Sequence, residues 1–377
     1  MKTWDIFCRV IDNFGDIGVC WRLARQLTAE HNQCVRLWVD DLNSLIRIWP
    51  TTQSLDQQQA GGVEVYRWNA EFTSGIQVAD VVIEAFACDI PPVYLDEMVK
   101  RKQCGQTPVW INLDYLSAEG WVEECHRMPS AHPATGLRKT FFFPGFTPRT
   151  GGLLREQALV NARDTFQAAP WLASMGIKPR EDALVVSLFA YENPAIASLL
   201  LTWANSSKPV HCLVPDGKIL SSIDEAIGHN LDTGSTYRQG NLCLQAIPFV
   251  TQTDYDKLLW ACDINFVRGE DSFVRGQWAA KPMVWHIYPQ DEEAHITKLL
   301  AFLDIYTRDA SPLLKEALHR FWLGWNQGSE GELEASWQRL ILHLDDWQKH
   351  SRNWCNSLLD QPDLASQLVD FCAMRQD

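Results

Sequence analysis

Arg268-Gly269-Glu270-Asp271-Ser272 packs one cation, two acids and a hydroxyl into a turn between an apolar run, Ile264 to Val267, and a stretch with Val274 and Trp278 four residues apart. The run reads as a buried strand and the stretch as an amphipathic helix, closed by Lys281-Pro282 before the next strand at Met283 to Trp285. Asp271 or Ser272 is the expected N-cap. The first-turn N–H groups of such a helix have no intrahelical acceptor, and with the helix dipole they attract phosphate. An ordinary βα turn with solvated charges has the same residue types, so this loop must be weighed with a second one.

That second loop, Arg9 to Gly18, separates the first apolar run from a helical stretch marked by Val19, Leu23 and Leu27. Gly15 and Gly18 allow a tight turn and close backbone approach. Asp12 and Asp16 put two carboxylates at its mouth, which repel phosphate and suit a cationic or proton-donating group. The alternative is that one aspartate caps the helix and the other is solvated. The spacing is neither the dinucleotide fingerprint nor a P-loop. Further rings follow strands: Phe189 and Tyr191, then Phe249 with Gln252, then His286-Ile287-Tyr288. Aromatic rings beside a phosphate-binding helix start suit a nucleotide, although core packing accounts for many such rings.

Other chemistries lack their signatures. The ten histidines show no HExxH or paired spacing, Cys125-His126 is a chance neighbour pair, and Asp40-Asp41 lacks a third ligand. There is no GxSxG elbow. Eleven cysteines, an odd number without a CxxC pair, fit reduced thiols in a cytoplasmic protein. A net charge of −14 argues against nucleic acid and anionic membranes as partners. The start Met1-Lys2-Thr3-Trp4-Asp5 shows no secretory signal, and no run of about 18 apolar residues could span a membrane.

The elements that must position these loops alternate. Strands are expected at Ile6 to Val10, Val35 to Val39, Val63 to Trp68, Val81 to Ala85, Val109 to Leu113 and Thr140 to Phe143. After a linker-like break at Pro144 to Gly152, others are expected at Leu184 to Phe189, His211 to Val214, Leu242 to Ile247, Ile264 to Val267 and Met283 to Trp285. Helices between them make parallel βαβ units, and from about Pro312 the pattern is wholly helical, ending in a helix with Leu364, Leu368 and Phe371 on one side. The expected class is α/β: two doubly wound domains with a helical tail and ligands outside the carboxyl ends of the strands, in the cleft between domains.

The segments DNFGDIGV (12–19), EAFACD (84–89), YLSAE (115–119), RGEDSFVR (268–275) and WHIYPQD (285–291) resemble the EarP family of bacterial protein-arginine rhamnosyltransferases, which modify translation elongation factor P. The resemblance runs the length of the chain. It implies a GT-B fold with a Rossmann-like acceptor-binding domain at 1–155, joined by a returning helix at 360–377, and a donor-binding domain at 156–359. It also implies inverting transfer of rhamnose from dTDP-β-L-rhamnose to one arginine of the factor, activating the factor for ribosomes stalled at polyproline, with no cofactor or metal. By motif, Asp16, Asp12 and Glu270 are the implied catalytic residues. Phe14, Gly15, Phe189, Tyr191, Phe249, Gln252, Arg268, Glu270, Asp271, Ser272 and Tyr288 are implied to hold the donor. The expected acceptor surface is the acidic face of Asp12, Asp16, Asp89, Asp114 and Glu119. Thr251, where proline is expected, and Trp278 depart from the family pattern. Two alternatives remain: a GT-B transferase with another sugar nucleotide or acceptor, and a non-catalytic module that holds a protein partner.

Overall fold

The computed structural model describes residues 1–12, 14–69, 75–290, 293–329, 331 and 333–375. The chain divides into two compact units, Met1–Gln157 together with the stretch from Asp360 onward, and Ala158–Leu359.

Unit 1 runs β1 (Thr3–Cys8), α1 (Gly15–His31), β2 (Cys34–Val39), α2 (Leu42–Ile48), β3 (Gln57–Ala60), β4 (Val63–Arg67), β5 (Val81–Ala85), α3 (Pro92–Gln103), β6 (Val109–Leu113), α4 (Trp121–Cys125), β7 (Pro129–Ala131) and β8 (Arg138–Phe142). The sheet order is β3-β4-β2-β1-β5-β6-β8-β7. The six inner strands are parallel, and β3 and β7 pair antiparallel at the edges. Every residue of β5, VVIEA, is buried, as expected where helices cover both faces of a sheet. α1 buries Val19, Leu23 and Leu27 and ends on Asn32 in the left-handed region, whose N–H returns to Leu27 O.

The first strand starts three residues earlier than expected and stops at Cys8, which leaves Arg9 and Val10 in the loop. The early start takes in Asp5, a charge inside a strand. Its carboxylate is buried but accepts both Arg36 Nε and Nη2 at 2.6 Å, Trp38 Nε1 at 3.0 Å and the Tyr94 hydroxyl. A carboxylate so bonded can be buried among Phe7, Trp38 and Tyr94. The two edge strands went unseen because they are short and carry no apolar run.

The Pro144–Gly152 stretch is not the boundary between units. It is the seat of the last helix of the chain (Leu364–Ala373). Gly152 adopts φ +71 with Pro362 O only 2.5 Å from where a Cβ would stand. Leu364 N–H donates to Leu153 O at 3.0 Å, Gln361 Nε2 donates to Phe146 O at 2.7 Å, and Phe371 packs edge-on against Phe142. Glycine and proline here serve close packing, which is indistinguishable from a linker by composition.

Unit 2 runs α5 (Leu159–Asp164), α6 (Ala168–Ser174), β9 (Leu184–Leu188), α7 (Ile196–Ala204), β10 (Val210–Pro215), α8 (Ile219–Ile227), β11 (Thr236–Gln239), β12 (Leu242–Ile247), α9 (Gln252–Ala261), β13 (Ile264–Arg268), α10 (Asp271–Ala279), β14 (Met283–His286), α11 (Ala294–Tyr306), α12 (Pro312–Asn326), α13 (Leu333–Leu342) and α14 (Leu344–Leu359). The sheet order is β11-β12-β10-β9-β13-β14, parallel except for the polar edge strand β11. The helical tail buries Trp322, Trp325, Trp337 and Trp347. Counted in chain order, the terminal helix Leu364–Ala373 is α15. Among the described residues no helix is long and apolar enough to cross a membrane.

Candidate active site

In a doubly wound sheet, ligands bind where the chain reverses its direction of winding, outside the carboxyl ends of the strands. In unit 1 that point lies between β1 and β5. The loop after β1 holds Asp16 on the first turn of α1, buried, with its Oδ2 accepting the N–H of Ile11 at 2.8 Å and of Asp12 at 2.9 Å. The Tyr115 hydroxyl also hydrogen-bonds Asp16. Burial pushes the Asp16 carboxyl above its ordinary range; the two backbone N–H groups and Tyr115 pull the other way, and the Asp12 charge adds to the rise.

Asp12 is half-buried, and its carboxylate lies against Gly15, 2.7 Å from where a Cβ would stand. A side chain at residue 15 would therefore displace it. The Phe14 ring, at the N-cap of α1, faces the Arg47 guanidinium at 5.7 Å.

The loop after β5 supplies a second wall. Phe86, Ala87 and Asp89 all have positive φ, at 56, 53 and 54, without being glycine. Such backbone persists only where surrounding structure enforces it, and it concentrates at functional sites. Phe86 stacks on Tyr115 at 4.4 Å and 17°, so the strained loop braces the ring whose hydroxyl meets Asp16. Sequence reasoning did not single out Phe86 or Tyr115 as site residues. Tyr115 follows β6 as the unit 2 rings follow their strands, so the same rule could have found it. The left-handed backbone at Phe86 has no residue signal.

In unit 2 the reversal lies between β9 and β13. Strand register sets Phe266 beside Leu188, which brings Arg268 against the segment just past β9. The buried Arg268 guanidinium lies 4.3 Å from the Phe189 ring centre and 4.9 Å from that of Tyr191, and Nη1 donates to Ala190 O at 3.3 Å. Tyr191 meets Tyr288 edge-on at 5.5 Å and His286 at 5.3 Å. Burial first, and the Arg268 charge second, push His286 down to about 3, so this imidazole is neutral at ordinary pH. His286 and Tyr255, whose ring centre is 5.4 Å from that of Phe189, are additional members of the cluster.

The N-terminus of α10 is built differently from the expectation. Neither Asp271 nor Ser272 is the N-cap; Glu270 occupies that place and makes no side-chain cap. Ser272 Oγ instead locks the turn, accepting Arg268 N–H at 2.9 Å and donating to Arg268 O. Asp271 accepts Gln252 Nε2 at 3.2 Å, which ties the starts of α9 and α10 together. Thr251, the departure from the family pattern, is the N-cap of α9 and accepts Asp254 N–H at 3.2 Å. Below the turn, Arg275 forms a buried fork with Asp256 at 2.7 and 2.8 Å, fixing α10 on α9. Phe249 is half-buried in the β12–α9 loop.

The predicted residues thus fall into two groups. Phe189, Tyr191, Gln252, Arg268, Asp271, Ser272 and Tyr288 are linked by contacts in unit 2, with Glu270 at the same helix start. Asp12, Phe14, Gly15 and Asp16 belong to the acidic loop of unit 1. Chemically, the first group offers a buried cation, rings and a helix N-terminus, a set suited to a nucleoside diphosphate. The second offers carboxylates for a guanidinium. Among the described residues no group of three or more His, Cys, Asp or Glu is arranged to hold a metal ion.

Comparison with known proteins bears on this arrangement. Residues 4–373 match the family model described as Elongation-Factor P (EF-P) rhamnosyltransferase EarP. A protein-arginine rhamnosyltransferase of Pseudomonas putida is 48% identical over 376 residues, covering 98% of both chains. The solved structure concerned with EarP-mediated arginine glycosylation of translation elongation factor EF-P is 34% identical, with a TM-score of 0.69 and full coverage of both chains. Acinetobacter baumannii MurG, 10% identical with a TM-score of 0.50 over 99% of both chains, shares the fold alone. Two Rossmann-like sheets with a helical carboxyl-terminal end are accordingly of the GT-B type, and the chain belongs to the EarP family of protein-arginine rhamnosyltransferases.

Proposed function

We propose that this enzyme transfers rhamnose from dTDP-β-L-rhamnose to one arginine side chain of translation elongation factor P, with inversion at the anomeric carbon, in the cytoplasm and without a metal ion. The observation that carries the reading is the Arg268 guanidinium held between Phe189 and Tyr191 beside the first turn of α10. The diphosphate is bound by Arg268 and by the N–H groups of Asp271 and Ser272, which together with Tyr288 stabilise the leaving group. The rings of Phe189, Tyr191 and Phe249, with Gln252, hold the nucleoside. Unit 2 is on this reading the donor-binding domain.

The acceptor poses a protonation problem. A guanidinium keeps its proton until a pH above ~12, so an ordinary carboxylate does not deprotonate it in the ground state. Asp12 and Asp16 grip the guanidinium and localise its charge, which weakens resonance at the attacking nitrogen. As the N–C bond forms and the C–O bond to the diphosphate breaks, that nitrogen becomes acidic and its proton passes to Asp16. The raised proton affinity of the buried Asp16 carboxyl favours that transfer. Glu270 faces the sugar and its developing oxocarbenium charge. Phe14 and Gly15 shape the acidic loop next to the sugar.

Mass spectrometry of elongation factor P incubated with the enzyme and dTDP-rhamnose tests the reading. A gain of one deoxyhexose on an arginine is expected. No gain, with binding of the factor retained, would leave the partner-holding module. A thermal-shift screen of dTDP against UDP and GDP identifies the nucleotide, and preference for another base would reassign the donor.

A further inference from the structure

A small pocket of about 70 Å³ opens to solvent at the amino-terminal end of the unit 2 sheet, lined by Lys178, Arg180, His211, Arg238, Asn241 and Cys243 among others. The six residues of β12 separate it from the ring cluster by on the order of 16 Å. Strand register builds its floor: Arg238 of β11 and His211 of β10 both pair with Cys243 of β12, so the three side chains share one face. His211 Nε2 is held by Gln245 Oε1 at 3.0 Å and Asn241 Nδ2 donates to Ser206 O at 2.7 Å. Gly240 makes the turn possible, since at its φ of +53 a Cβ would stand 2.3 Å from Ala204 O.

Three cations, Lys178, Arg180 and Arg238, line this pocket in a chain of net charge −14. Of these, Arg180 lies against Asp182 at 2.9 Å. Lys178 and Arg238 have no carboxylate partner among the described residues. Two uncompensated cations over a polar-floored pocket concentrate anions, and the guanidinium fork and the ammonium match phosphate oxygens. We propose that this pocket is a second anion site, taking a phosphate group between Lys178 and Arg238, either as free phosphate or as part of a nucleotide. The proposal does not rest on the activity argued above.

Calorimetric titration of the full chain with inorganic phosphate at fixed ionic strength tests it, comparing wild type with the Lys178→Gln/Arg238→Gln double variant. Both side chains are exposed, so the variant is expected to melt as wild type does. The expected result is saturable binding that weakens at least about tenfold in the variant. Equal affinity in the two proteins, or no saturation in the millimolar range, would overturn the site. A parallel titration with dTDP separates the sources. A second class of dTDP sites, lost in the variant, supports a nucleotide-borne phosphate; one class only, beside variant-sensitive phosphate binding, supports free phosphate.

Discussion

The Arg268 guanidinium lies 4.3 Å from the centre of the Phe189 ring. The two residues are 79 positions apart, and they meet because β9 and β13 are neighbours in register at the reversal point of the unit 2 sheet. The contact holds a buried cation against a π face beside the N-terminus of α10, where an anion would complete it.

Arg268→Lys keeps the charge but loses the fork and the stacking. Affinity for dTDP is expected to fall about 10- to 100-fold, in line with one or two charge-assisted hydrogen bonds. Calorimetry would register it, and unchanged affinity would remove Arg268 from diphosphate binding.

Asp16→Asn keeps size and hydrogen-bonding capacity at the loop but cannot take a proton. Turnover is expected to drop about 10³-fold with dTDP affinity nearly unchanged. A variant that turns over normally excludes Asp16 as proton acceptor.

The Asp16 carboxyl sits above its ordinary range, so the acid limb of kcat/KM is expected above the pH typical of aspartate, with activity rising as Asp16 ionises. Tyr115→Phe removes a hydrogen bond that favours the ionised form. The limb should therefore move to higher pH in this variant, and a pH–rate profile that stays put would show that Tyr115 does not act through Asp16.

Acid should destabilise the fold through His286. Its proton affinity is lowered in the folded state to about 3, while the unfolded chain takes up the proton near 6.5. Between these values the unfolded state binds more protons, so stability falls as pH falls, by about 1.4 kcal/mol per pH unit within the window. Asp16 works in the opposite sense, because its raised carboxyl costs stability as pH rises through its folded value. Urea midpoints of wild type and His286→Asn between pH 7 and pH 4 measure the histidine contribution, as the difference in slope.

Gly152→Ala places a Cβ at positive φ and 2.5 Å from Pro362 O. A loss of about 2 kcal/mol or more is expected, with the terminal helix the first element to loosen. Chemical denaturation gives the magnitude, and hydrogen exchange in α15 tests where the loss is felt.

Much of this protein was legible from residue order because its signals are local. Apolar runs split by amphipathic helices specify parallel βαβ units, and the RGEDSFVR and DNFGDIGV segments announce both loops by residue type alone. What stayed hidden depends on neighbours distant in sequence. A strand expected from Ile6 onward takes in Asp5 because Arg36, Trp38 and Tyr94 surround its carboxylate. Pro144 to Gly152 reads as a linker until Pro362 packs against Gly152. The cap of α10 passed from Asp271 or Ser272 to Glu270 because Ser272 found a better use for its hydroxyl on Arg268. Phe86 and Tyr115 enter the site through a stacking contact and a strained backbone that the rest of unit 1 imposes. Periodicity and residue type are properties of a segment and can be read from it. Burial, hydrogen-bond partners and proton affinity belong to pairs of segments, and only packing creates those pairs.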